Sequence, residues 1–164
     1  MKTKLRQMIR YKSSIKVGNK EELISILNQQ LADTFDLYSQ LKQAHWNVKG
    51  MEFHSLHLLF DQLAEQTLSF VDMIAERTTA LGGVARGTIR MASKLTRLEQ
   101  SPDSFDNSEY TITKMVERYA QVCTSTRGCI DSCESHGDKA TADLFTEISR
   151  GLDKSLWMLE AHLL

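Results

Sequence analysis

The sequence predicts an all-α protein built as a four-helix bundle, and three observations carry that expectation. The 164-residue chain has only one proline and eight glycines. Apolar residues recur every three or four positions through four long stretches. Most of the glycines fall between those stretches rather than inside them. A β-sandwich would need many short alternating strands, and a collagen-like or low-complexity chain would need far more Gly and Pro. Hydrophobic residues at 41% and charged residues at 25% are ordinary for a globular protein, and the length suits one domain with its own core. No apolar run approaches the roughly 18 residues of a membrane span, and the N-terminus lacks the apolar stretch of a secretory signal.

The elements follow in order. Leu23, Leu27, Leu31, Thr34, Tyr38, Leu41 and His45 mark one face of a first helix, expected over about 21–48 and stopped by Gly50. Leu56, Leu59, Leu63, Phe70, Ile74 and Leu81 mark a second, about 54–81, ended by Gly82 and Gly83. Ile112, Met115, Val116, Tyr119, Val122, Cys123 and Ile130 mark a third, about 109–135, with Asp106, Asn107 and Ser108 as candidate N-caps. Leu144, Ile148, Leu152, Leu156, Leu159 and Leu163 mark a fourth, about 139–163. Gly128 and Gly151 sit inside helical patterns, each at a cost of about 1 kcal/mol against Ala. Met73, Met91, Met115 and Met158 read as core filler.

Short connections make the first and second helices, and the third and fourth, antiparallel hairpins. The connection from about 83 to 108 is long, holds Pro102, and is expected to form a short extra helix within Thr88–Leu98. Two hairpins joined by one long crossover is the ferritin-like arrangement of a four-helix bundle. The bundle domain covers 21–164 and is preceded by a basic arm over 1–20.

That arm holds Lys2, Lys4, Arg6, Arg10, Lys12, Lys16 and Lys20 and no acid. The net charge of -1 therefore conceals a split: the arm carries +7, and the remaining 13 basic and 21 acidic residues give a body of -8. Cys123, Cys129 and Cys133 are odd in number and clustered, a poor disulfide framework that fits a reducing, cytoplasmic setting. Cys129, Cys133 and His136 share a helical face, where they read as packing thiols with a surface His or, less simply, as a soft-metal or redox group.

The second helix has a further face bearing His57, Asp61, Asp72 and Glu76. At ~100° per residue, Asp61 lies ~40° from His57, Asp72 ~60° and Glu76 ~100°, with Leu68 between the pairs and Glu65 nearby. Such a stripe can be merely solvated. Each i,i+4 pair can also converge on one cation. The midpoints of the pairs, at 59 and 74, are ~22 Å apart along the helix, so one chain cannot bring both pairs to one ion. A two-fold axis near Leu68 would set His57 and Asp61 of one subunit against Asp72 and Glu76 of the partner subunit. His45, near the end of the first helix, adds a second imidazole. Two imidazoles and three carboxylates suit iron, manganese or zinc, and the absence of thiolates argues against structural zinc.

The run Ala44-His45-Trp46-Asn47, then His57-x3-Asp61, Asp72-x3-Glu76-Arg77 and Leu81-Gly82-Gly83, resembles the Dps family of miniferritins. The fourth helix, from Asp143-Leu144-Phe145 through Trp157 to Ala161, is similar to that family's C-terminal signature, and the resemblance covers about 23–163. It implies a cytoplasmic, nucleoid-associated dodecamer of four-helix bundles. Such a shell oxidises Fe2+ with hydrogen peroxide or oxygen at intersubunit ferroxidase sites, stores the ferric mineral and protects DNA in stress. Carried onto this chain, the iron ligands and catalytic residues are His45, His57 and Asp61 of one subunit with Asp72 and Glu76 of the partner subunit. Trp46 becomes a candidate radical quencher, or else a core or interface aromatic. Asp143 and Asp138 become candidate acids of an iron pore, although Lys139 places a cation between them.

Lys2, Lys4, Arg6, Arg10, Lys12 and Lys16 of the arm are candidate contacts to DNA phosphates, without sequence specificity because no base-reading motif accompanies them. Twelve arms on one shell would act by avidity. The competing expectation docks the arm on a neighbouring subunit through Leu5, Met8, Ile9, Ile15 and Val17. The leading function is thus a ferroxidase and storage shell. The alternatives are a DNA-compacting structural protein with secondary metal binding, and a ferritin-like protein that binds metal without storing mineral.

Overall fold

The structure, a computed structural model, describes residues 15–164. Five helices follow one another without strands among the described residues: α1 (Lys20–Asn47), α2 (Phe53–Ala80), α3 (Ile89–Leu95), α4 (Ser108–Ser135) and α5 (Lys139–Glu160). The four long helices and the short one in the crossover stand where the apolar period places them, with every end within three residues of the one expected.

The helix ends have local causes. The side-chain oxygen of Asn19 accepts the Glu22 N–H, Thr88 accepts that of Met91, Asn107 that of Tyr110 and Asp138 that of Thr141. Each satisfies a donor that the first turn leaves without an intrahelical partner. Of the three cap candidates for α4, Asn107 is the one used. Gly50 turns the chain out of α1 at φ +105, a left-handed conformation that favours glycine.

α1 lies along α2 and α4 lies along α5 as two tight hairpins, joined more sparsely through α1–α4 and α2–α5. The core runs between them and includes Leu23, Leu27, Leu31, Leu41, Leu56, Phe60, Leu63, Ile74, Tyr119, Phe145, Ile148 and Leu152, all at or near zero exposure. Each such side chain contributes about 1.5–3 kcal/mol by leaving water. The crossover packs on α1 through α3 and is fastened by polar groups. Buried Asp33 accepts from the Arg97 backbone N–H at 2.8 Å and from its guanidinium at 2.9 and 2.5 Å. Thr96 donates to Asp36, Gln29 to the Leu95 carbonyl and Gln40 to the Glu99 carbonyl. Met91 departs from the core-filler expectation: it sits on the exposed side of α3, because Ala92 is the residue of that helix that faces α1.

Candidate metal centre

The α1–α2 hairpin brings His45, near the end of α1, beside His57, in the second turn of α2. Their rings stack with centroids 3.7 Å apart and an interplanar angle of 21°. Phe53 packs on the His57 ring at 5.1 Å. His45 Nδ1 lies 2.7 Å from the His57 carbonyl oxygen, and His57 Nδ1 lies 2.9 Å from the His45 carbonyl oxygen. A carbonyl only accepts, so each Nδ1 carries the proton. In the neutral rings both Nε2 atoms then hold a free lone pair. A hydrogen bond to the far ring nitrogen is how a metal-binding imidazole is usually oriented and made more basic.

Asp61 stands one turn on from His57. Its Oδ1 lies 4.0 Å from His45 Nδ1 and 2.5 Å from Lys42 Nζ. The Lys42 ammonium, hydrogen-bonded to it, holds the Asp61 carboxyl below the ordinary aspartate range against a smaller opposing effect of burial, and the two imidazoles act in the same direction. Lys42 and the reciprocal histidine lock are the two features that the sequence did not reveal. The signal for Lys42 was its position three residues before His45, on the same side of α1.

Asp72 and Glu76 are exposed and lie further along α2, clear of this cluster. Among the described residues, no group of three or more His, Cys, Asp or Glu side chains within the single chain forms a metal site. α2 runs unbroken from Phe53 to Ala80, so the ~22 Å spacing of the two candidate pairs follows from the rise per residue. Two exposed leucines accompany the pairs, Leu58 next to His57 and Leu68 between the two. Arg77, next to Glu76, turns away from it: its guanidinium is 2.7 Å from both Asp138 Oδ1 and Thr141 Oγ1.

That pairing corrects the expectation for Asp138. It is buried, caps α5 and is bound by Arg77 and Thr141, so its charge is already compensated and it is not a free pore acid. Asp143 remains in an open groove with Glu134, Lys139, Ala142 and Thr146. Trp46 is 68% exposed, with Lys42 Nζ 5.8 Å above its ring, so within one chain it is not a core residue. The three thiols are buried and free, while His136 faces Glu22 at 3.1 Å instead of joining them. Of the arm's cations, Lys16 is described and exposed and Lys20 opens α1; Lys2, Lys4, Arg6, Arg10 and Lys12 lie outside the described residues.

Paired helical hairpins joined by a crossover that carries a short helix define a ferritin-like protein, and the family described as ferritin-like domain matches residues 24–164. The DNA protection during starvation protein of Agrobacterium fabrum is 42% identical over 151 residues, which cover 92% of this chain and 93% of that one. DpsC from Streptomyces coelicolor is similar in structure with a TM-score of 0.90 at 28% identity, over 96% of this chain and 92% of that chain. A Dps protein from Vibrio cholerae O1, described as a member of a broad superfamily of ferritin-like diiron-carboxylate proteins, is similar at a TM-score of 0.84 and 25% identity, over 88% and 91%. The chain belongs to the Dps family.

Proposed function

We propose that the protein is an iron-oxidising, iron-storing miniferritin whose ferroxidase site is completed across a two-fold axis. The observation that carries this is the reciprocal lock of His45 and His57, which leaves two Nε2 lone pairs free, with Asp61 held ionised by Lys42 one turn on from His57. Fe2+ is the substrate. His45, His57 and Asp61 bind it together with Asp72 and Glu76 of the partner subunit, and the exposed Leu58 and Leu68 lie in the contact between the two copies. Carboxylates bring the negative charge that favours Fe3+ over Fe2+, so the donor set lowers the cost of oxidation. Two Fe2+ each give up one electron, and one hydrogen peroxide takes both electrons and two protons to become two waters. The ferric product collects inside a hollow dodecamer, and Asp143 lies on the path by which iron arrives.

Protection of DNA fits the name of the Agrobacterium fabrum relative. Here the basic arm holds the shell on DNA without sequence specificity, and removing Fe2+ and peroxide together suppresses hydroxyl-radical formation beside it. The decisive experiment follows ferric absorbance after Fe2+ and peroxide are added to the His45→Ala/His57→Ala protein. The initial rate should fall by more than about tenfold, the size of effect seen even when groups merely supporting a ligand are removed. Unchanged oxidation would place the site elsewhere.

A further inference from the structure

The crossover carries a second basic surface. Between Arg77 and Glu99 there is no acid, while Arg86, Arg90, Lys94 and Arg97 all fall in that interval. Arg97 is committed to Asp33. Arg86, Arg90 and Lys94 are exposed, and none of them takes part in an ion pair among the described residues. Arg90 and Lys94 are i,i+4 on α3, so their side chains rise from one face about 6 Å apart along the axis. Arg86 is held in the approach to α3 by its backbone N–H, which donates to Asn28 at 2.8 Å.

This surface adjoins the departure point of the arm. Arg86 and Leu95 line one groove with Glu21, Ile24, Ser25 and Asn28, from the first turns of α1. Just before them, the Gly18 N–H donates to the His136 carbonyl at 2.7 Å, which fixes where residues 15–18 meet the body. Glu21 is the one acid in that groove. Fixed cations beside the root of a +7 arm extend one stripe of positive charge onto an otherwise acidic body. A row of unpaired, solvated cations with no aromatic or base-reading side chain among them fits the phosphate backbone of duplex DNA.

We propose that Arg86, Arg90 and Lys94 form a fixed phosphate-contacting surface against which DNA captured by the arm is laid. It rests on the DNA-binding function proposed above, and adds that the arm is not the whole of the interface. Each phosphate neutralised releases counterions, so these residues contribute to the salt dependence of binding as well as to affinity. The alternative occupant, an acidic protein surface, would leave DNA binding independent of them.

The test measures binding of a duplex of unrelated sequence at several salt concentrations, using the full-length assembled protein. Arg86→Gln/Arg90→Gln/Lys94→Gln is compared with a control, Lys49→Gln/Arg150→Gln/Lys154→Gln, that removes the same charge from other exposed positions, and with deletion of residues 1–17. Circular dichroism and native mass confirm that each variant is folded and assembled. The crossover variant should bind at least about tenfold more weakly at low salt and lose about two to three from its log–log salt slope, while the control stays near the parent. Deleting the arm should abolish the mobility shift. A crossover variant with the parent's affinity and slope, or a control that weakens equally, overturns the surface and leaves the arm in place. If the full-length protein itself fails to bind, the DNA-binding function falls and this surface falls with it.

Discussion

Cys123, Cys129 and Cys133 are each under one-tenth exposed, and burial pushes their thiols up to about 12, about 11 and about 12. At pH 8 a thiol with a pKa of about 12 is ionised about once in ten thousand, against roughly a quarter for a free cysteine. The folded protein should therefore resist a thiol reagent at pH 8 and react at all three positions once denatured; fast native labelling would contradict the packing. Because the folded-state values are raised, the stability these thiols contribute is complete below about pH 8.5 and is lost as pH rises toward 11–12, so melting temperature should drop between pH 7 and pH 10. Cys129 and Cys133 pack as buried thiols, the simpler of the two readings of their spacing with His136, and His136, at the end of α4, is drawn to Glu22 at the start of α1.

Two glycines separate helix propensity from helix contact. Gly128, within α4, has nothing within 4 Å of where a Cβ would stand. Gly151, within α5, would bring a Cβ 2.5 Å from Phe70 Cζ and 3.1 Å from Gln66 Nε2, both on α2. Gly128→Ala should stabilise the protein by about 0.5–1 kcal/mol, since only the conformational cost of glycine is removed. Gly151→Ala should destabilise it by about 1–3 kcal/mol through overpacking against α2. Chemical denaturation distinguishes them, and equal shifts would show that α2 and α5 do not meet as closely as described. The helices themselves were legible from the sequence because a 3.6-residue period repeats over many turns. Which glycine is a contact was not, because it depends on where two elements remote in sequence touch. Asp138 misled for the same reason: as a cap on α5 its nearest charge is Arg77, sixty-one residues away in α2.

At the scale of the whole molecule, one chain presents half of the proposed centre at His45, His57 and Asp61 and the other half about 22 Å along α2. Sharing across a two-fold axis has a distinctive consequence. His45→Ala/His57→Ala subunits and Asp72→Ala/Glu76→Ala subunits should each be inactive alone. Mixed dimers should regain iron oxidation, because one of their two sites draws every ligand from an intact half. A mixture as inactive as its components would exclude a shared site. The sequence by itself determined the helices, the pairing into hairpins and the separation along α2 that keeps the two candidate pairs apart in one chain, because all of these follow from periodicity and rise along a helix. The tertiary structure decided which histidine nitrogens are free, that Lys42 holds Asp61, that Asp138 is spent on Arg77 and that Arg86, Arg90 and Lys94 have no ion-pair partner among the described residues. Those outcomes depend on the rotation and register of packed helices, which bring together residues that no local spacing relates.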